Sequence, residues 1–418
     1  PPRSTLFPYT TLFRSDKHES FYIYDEQGIV ENANRLITDF NGVEFLYSIK
    51  SNPAIKVVES VFKQGFGADA ASLEEVRLAR RLGLEADKIL YSAPGKSIND
   101  LVEAYGLSIL IADSINEVHM IQEIAKSRCE VAEIGIRINP DFTFFGDSGI
   151  PSKFGIDEDQ VFDLLSKWDQ FSNVKVIGLH VHSRSQELNY TVLEKYYSRM
   201  FELTAAFQDS IGSKLEFVNM GSGLGIPYSL SDSPLDTGLL GKRFSLLKEK
   251  FNHELSDTRI ILETGRYVVG NSGTYVTHVL DKKVSKGTTY VILANTLNGF
   301  LRPSIAQLVR AYSGNNPVFG SEPLFTDFDS FCFEAFTEET EYEIVTLVGN
   351  LCTSTDIVAK DILMPKLNKG DIVLIPNAGS YAWVLSPIQF SSQKPPVQLY
   401  LTSNGDVIDA NIIEGQSN

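Results

Sequence analysis

Between residues 45 and 263 the sequence alternates, eight times over, a short apolar run suited to a buried strand with stretches whose apolar residues recur at helical spacing. Strands are expected at 45–49, 66–70, 88–92, 108–112, 133–138, 174–181, 215–220 and 259–263, with amphipathic segments at 57–62, 73–82, 115–124, 161–168, 190–207 and 239–251 between them. Strands separated by helices pair in parallel through right-handed crossovers. Eight is the number at which such a sheet closes into a (β/α)8 barrel. The alternative, an open doubly wound sheet, carries its glycine-rich turn after the first strand; here Gly221-Ser-Gly223-Leu-Gly225 follows the seventh. The expected fold is therefore α/β, a (β/α)8 barrel over residues 27–274.

After Gly273 the rhythm changes. Runs at 275–284, 289–294, 343–348, 371–375 and 397–401 read as strands separated by Gly, Pro, Asn and Ser, without long helices between them. This predicts a mostly antiparallel β domain over 16–26 and 275–418. The strand-like run at 21–24 joins it, so that the barrel is inserted within it. A helix face follows that run at Ile29, Ala33, Leu36, Ile37 and Phe40, and residues 312–331, rich in Gly, Pro, Asn and Asp, are expected to form a long loop. Residues 1–15 resemble the translation of a sequencing-library adapter and are set aside from the fold.

Composition narrows the partners. With 53 acidic against 37 basic residues the net charge is −16, which argues against nucleic acid and anionic membranes, both of which want a basic face. No apolar run approaches the roughly 18–20 residues of a membrane span. Three cysteines, Cys129, Cys332 and Cys352, form neither a disulfide framework nor a metal-ligand spacing, and a reducing cytoplasm is expected.

In such barrels the active site gathers at the C-terminal ends of the strands, and polar residues fall there in seven of the eight. The first strand runs into Lys50-Ser-Asn-Pro53. A lysine held where water is scarce has a lowered pKa, and its neutral amine forms a Schiff base with an aldehyde. That makes Lys50 the candidate attachment point for pyridoxal 5′-phosphate (PLP); a solvated lysine at a strand end is the alternative. Asp69, after the second strand, either orients Lys50 or caps the next helix. The sixth strand leads into His180-Val-His182-Ser-Arg-Ser185, where His182 has the place to lie against a ring, Ser185 is a phosphate or lysine contact, and His180 reads as a core histidine. The glycine run and Gly265-Arg266 suit a phosphate, through close backbone N–H groups and a guanidinium, or form a plain tight turn. Glu263 beside them needs a positive partner, and a protonated pyridine nitrogen qualifies. Tyr381 is a phosphate donor or a core aromatic. Arg302 reads a substrate carboxylate or is solvated. Cys352, with Asp356 after it, lies in a loop or is a buried structural thiol.

Taken together these motifs resemble the alanine-racemase-like barrel enzymes that use PLP, in particular the diaminopimelate, ornithine and arginine decarboxylase group, over residues 20 to 401. The resemblance implies a homodimer with shared active sites. It makes Lys50 the Schiff-base lysine, His182 the ring-stacking residue and Glu263 the partner of the pyridine nitrogen. Ser185, Gly223, Gly265, Arg266 and Tyr381 become phosphate ligands, and Cys352 a proton donor reaching over from the partner chain. Arg302 matches the carboxylate-reading arginine, and Asp356, in the cross-subunit loop, is with Thr353 an expected substrate contact. Thr353 stands where diaminopimelate and ornithine decarboxylases carry an acid that reads the far amino group. Arg184 replaces a glycine, Ser222 replaces the middle glycine of the run, Ala294 stands where an acid is expected, and Ser391-Ser-Gln-Lys-Pro395 replaces Asn-Ser-Arg-Pro. The expected activity is decarboxylation of an amino acid or amino-acid conjugate in siderophore or other specialised metabolism. The alternatives are diaminopimelate decarboxylation, racemisation, or cofactor binding without catalysis.

Overall fold

The computed structural model describes residues 18–229, 231–312 and 331–412. The segment 1–15 and nearly all of the loop expected at 312–331 lie outside them. Eight parallel strands close into a barrel: β2 (Glu44–Ser48), β3 (Gly67–Ala70), β4 (Ile89–Tyr91), β5 (Ile109–Ala112), β6 (Ala132–Asn139), β8 (Val174–His180), β9 (Phe217–Asn219) and β10 (Arg259–Thr264). Each pairs with the next in sequence. Leu262 beside Phe45 joins the last strand to the first, and Leu110 beside Ile134 completes the ring between β5 and β6. A two-residue strand, β7 (Ile156–Asp157), extends the sheet from β6.

The barrel interior is filled rather than hollow. Leu46, Leu90, Ile111, Ile177, Phe217 and Ile261 form one buried cluster inside it. Phe217 fits because its neighbours on the next two strands lack side chains: a Cβ on Gly178 of β8 would lie 2.0 Å from its ring and one on Gly135 of β6 3.1 Å. Outside, apolar helix faces cover the strands. In helix Glu26–Asp39 the buried apolar residues are Ile29, Ala33 and Leu36, with Phe40 buried just beyond, as the spacing predicts, and Asn32 is buried beside them. Ile37, placed on that face by the sequence, is 42% exposed, because it lies about 100° around the helix from Leu36.

The second sheet holds nine strands in the described residues. Its main path runs β15 (Ile357–Pro365), β14 (Tyr342–Gly349), β12 (Thr288–Leu293), β11 (Gly273–Ser285), β1 (Ser20–Asp25), β17 (Val397–Leu401) and β18 (Val407–Asp409). Off this path, β16 (Ile372–Ile375) pairs with β11 and with β13 (Glu334–Phe336). Most pairings are antiparallel, while β1 with β17 and β12 with β14 are parallel. Strand β1 therefore sits between β11 and β17, and the whole barrel is a sequence insertion between β1 and β11. Two expectations are corrected. A 12-residue helix, Leu301–Tyr312, interrupts this half of the chain; Pro303 does not break it, since proline is tolerated in a first helical turn. Strand β15 was not expected, because Lys360-Asp361 interrupts its alternation and Asp361 adopts φ 51°. Among the described residues no helix is long and apolar enough to cross a membrane.

Candidate active site at the barrel mouth

Lys50 lies just past its strand, on a 3-10 turn spanning Ile49–Ser51. Its side chain is 32% exposed and its Nζ is 3.7 Å from Asp69. Asp69 is fully buried and accepts hydrogen bonds from Ser48 Oγ at 2.9 Å and Ser92 Oγ at 2.7 Å. The helix-capping alternative for Asp69 falls to Ser72, whose Oγ accepts from Glu75 N. Two hydroxyls thus fix a carboxylate beside the amine, at the ends of three neighbouring strands.

Glu263 is buried on β10 and meets three side chains. Asn219 Nδ2 donates to it at 2.7 Å, His180 Nε2 is 3.0 Å away and His182 Nδ1 3.5 Å. Burial alone would raise its pKa, but His180, His182 and Lys50 together outweigh burial and hold the carboxyl well below the usual carboxylate range. Burial pushes the His180 imidazole the other way, down, against the pull of Glu263. The site therefore presents a buried acid held ionised by its neighbours, suited to a cationic N–H. His180, read from the sequence as a core histidine, supports that acid directly. Asn219 was missed, although it ends β9; its Oδ1 also accepts from Gly221 N at 3.0 Å, which ties the acid to the glycine turn.

That turn is conformationally demanding. Gly221 has φ 59° and Gly223 φ 81°, a region that favours glycine. A Cβ on Gly223 would lie 2.6 Å from the Phe144 ring. At the next strand end, a Cβ on Gly265 would lie 2.6 Å from Ser51 Oγ, so Gly265 lets the arginine turn approach the lysine turn. Arg266 is buried, donates to Tyr228 OH at 2.8 Å and to Ser185 Oγ at 3.5 Å, and lies 4.8 Å over the Tyr381 ring. Tyr228 is another residue the sequence did not single out. Burial would raise its phenol, but the Arg266 and Arg302 guanidiniums prevail and bring it down to about 8.

The second sheet completes the mouth. Tyr381 N donates to Ser51 O at 2.9 Å, and Asn52 Nδ2 donates to Gly379 O at 2.8 Å. Lys50 lines two cavities at once. One, of about 350 Å³, also holds His180, His182, Glu263 and Arg137 on its walls; the other, of about 380 Å³, holds Glu75, Arg266 and Tyr381. Lys50 thus stands between an acid-floored chamber and one walled by a guanidinium and a phenol.

Two expected substrate contacts are placed differently. Arg302 is 2% exposed, and its guanidinium donates to Asn377 O at 3.1 Å and to Ser380 O. It braces the stretch that carries Tyr381. Asp356 is 3% exposed; it accepts from Leu297 N and Leu351 N, both at 3.1 Å, and from Thr296 Oγ1. With both oxygens engaged by its own chain, it clamps the loop bearing Cys352 rather than facing Lys50. Cys352 itself is exposed, with Thr353 half-buried beside it, and neither lines a cavity shared with Lys50.

An amine, an ionised buried acid and a guanidinium with bare glycine backbone, brought together at the mouth of a closed parallel barrel, define an enzyme of the class that holds an anionic aldehyde cofactor on a lysine. A family profile described as "Pyridoxal-dependent decarboxylase, pyridoxal binding domain" matches residues 26–270, and the chain belongs to that family. The L-glutamyl-[BtrI acyl-carrier protein] decarboxylase of Niallia circulans is 32% identical over 92% of this chain and 89% of its own. The 2-[(L-alanin-3-ylcarbamoyl)methyl]-2-hydroxybutanedioate decarboxylase of Staphylococcus aureus is 27% identical over 91% of this chain and 94% of its own. The crystal structure of diaminopimelate decarboxylase from Helicobacter pylori with L-lysine superposes with a TM-score of 0.81 at 24% identity, covering 96% of this chain and 95% of that one, which establishes the fold. The protein is a PLP-dependent amino-acid decarboxylase. The residues present fit that cofactor, since at Gly221, Gly223 and Gly265 a Cβ would meet neighbouring atoms at 2.6–2.9 Å, and the acid, amine and guanidinium lie in adjoining chambers.

Proposed function

We propose that this enzyme removes the α-carboxylate of an amino acid carried within a larger conjugate, of the kind made in siderophore or other specialised metabolism. The observation that carries this reading is the convergence of Lys50, Glu263 and Arg266 on adjoining cavities. The names of the Niallia and Staphylococcus relatives, both decarboxylases of amino-acid conjugates, support the substrate class. So does Thr353, which cannot bind a far ammonium as an acid would.

When bound, PLP supplies an electron sink for the pair left by departing CO2. Lys50 provides the amine that holds it, and Asp69, fixed by Ser48 and Ser92, orients that amine. Glu263 would pair with the ring nitrogen and His182 would pack on the ring. Ser185, Gly223, Gly265, Arg266 and Tyr381 would hold the phosphate. Arg302 positions the Tyr381 stretch, and Asp356 positions the Cys352 loop. The Cys352 thiol would be the proton donor, with Thr353 beside it as a substrate contact. An exposed Cys352 outside the Lys50 cavities supports a homodimer in which one chain's thiol serves its partner's barrel. The barrel over 27–274 then carries the cofactor and the β domain lends the loop. Exposed thiols at Cys129 and Cys352 suit a reducing compartment, the cytoplasm.

PLP-loaded protein should show a visible absorbance band that Lys50→Ala abolishes, and it should release CO2 from amino-acid conjugates. Cys352→Ala should slow release by about 10²–10⁴-fold, as loss of a positioned proton donor does. Mixing Lys50→Ala with Cys352→Ala should restore part of the activity, since one mixed dimer site is intact. Absence of both band and CO2 release overturns the function; failure to complement overturns the shared site.

A further inference from the structure

Beside the ring chamber lies a second cavity, of about 540 Å³, walled by Phe142, Phe144, Phe145 and Phe154 together with Lys153 and Arg184. It adjoins the Lys50 chamber, since His182, Lys153 and Phe154 line both. No aspartate or glutamate lines it, in a chain whose net charge is −16. Arg184 is half-buried, and its guanidinium lies 4.8 Å over the Phe145 ring. Its Nε is fully buried with no hydrogen-bond partner, and it makes no ion pair among the described residues. A buried donor on a charged group costs free energy unless something accepts from it.

The loop that builds this wall is anchored at its base. Asn139 Nδ2 donates to Ile150 O at 3.0 Å and to Asp157 Oδ1 at 2.8 Å, while Asp141 N donates to Glu158 Oε2 at 2.9 Å. At its middle, Phe144 packs on the bare backbone of Gly223. The cavity is thus fixed to both the end of β6 and the phosphate turn. Its size falls within the roughly 300–1,000 Å³ of small-molecule sites.

We propose that this cavity is the subsite for the conjugate's extension, and that Arg184 selects a carboxylate at its far end, with Lys153 assisting. The aromatic walls take the linker, and the guanidinium offers the paired donors that match a carboxylate. The assignment rests on the decarboxylase reading above, and deepens it from an unspecified conjugate to one with an acidic tail.

The test compares two probes, N-succinyl- and N-acetyl-2,3-diaminopropionate, which share the amino-acid head and amide and differ in the terminal carboxylate. Calorimetry on PLP-loaded enzyme gives the ratio of their dissociation constants. Wild type should favour the succinyl probe by at least about tenfold, the value of one charge-assisted bond in a half-buried site. Arg184→Gln should bring the ratio close to one, and Arg184→Lys, which keeps the charge, should retain most of it. The visible band of each variant reports that the cofactor site is folded. Equal affinities in wild type, or a ratio unchanged in Arg184→Gln, overturn the subsite. Discrimination without CO2 release from either probe overturns the decarboxylase reading instead, so the two failures are told apart.

Discussion

Lys96 and Glu117 form an ion pair sealed inside the barrel's rim, with side chains 0% and 2% exposed and Nζ 2.7 Å from Oε2. Glu117 also accepts from Lys96 N at 3.1 Å and Asp113 N at 2.9 Å, and Lys96 Nζ also donates to Ala93 O at 2.6 Å. Burial lowers the lysine's pKa, opposed by Glu117. Lys96→Met would leave a carboxylate with two N–H donors and no cation. Removing one partner of a buried pair costs about 3–5 kcal/mol, because the remaining charge is uncompensated. Lys96→Met with Glu117→Gln should cost less than the two single losses summed, since no buried charge remains. Urea unfolding followed by the fluorescence of Trp168 and Trp383, with slopes compared before midpoints are read, measures each. A Lys96→Met loss below about 1 kcal/mol at pH 8 would refute the argument from an uncompensated charge.

Two further outcomes are expected. Burial, aided by Asp69 and opposed by Ala71 N–H and Lys50, pushes the Glu75 carboxyl up to about 7; raised above its ordinary value, it stabilises the fold fully below about pH 4.5 and loses that contribution as pH climbs through about 7. Glu75→Gln should therefore gain about 1–2 kcal/mol on wild type by pH 8, allowing for screening of a partly exposed group, and parallel pH curves for the two proteins would contradict this. Gly273→Ala would place a Cβ 2.3 Å from Gly379 Cα and 2.4 Å from its N; with backbone on both sides, overpacking of about 1–3 kcal/mol is expected, together with weaker PLP binding by fluorescence titration as the Tyr381 stretch is displaced.

The barrel was legible because its signal is periodic and local: each strand needed only four to eight apolar residues ended by a polar one. The chemistry at the strand ends was legible for the same reason, with Lys50 and Arg266 placed just past a strand and Glu263 near the end of one. What escaped depends on contacts distant in sequence. Asn219 and Tyr228 matter through partners 44 and 38 residues away, and Asp356 and Arg302 read as substrate contacts until their oxygens and nitrogens were seen bound to their own chain. Helix Leu301–Tyr312 was hidden because Pro303 near its start reads as a breaker.

The placement of β1 sets a constraint on synthesis order. Its partners, β11 and β17, emerge some 250 and 370 residues after it. The barrel can close while the opening strand still waits with both edges bare, and only translation of the final stretch occupies the second of them. Damage near residues 397–401 would therefore be felt at Ser20–Asp25, some 370 residues earlier in the chain.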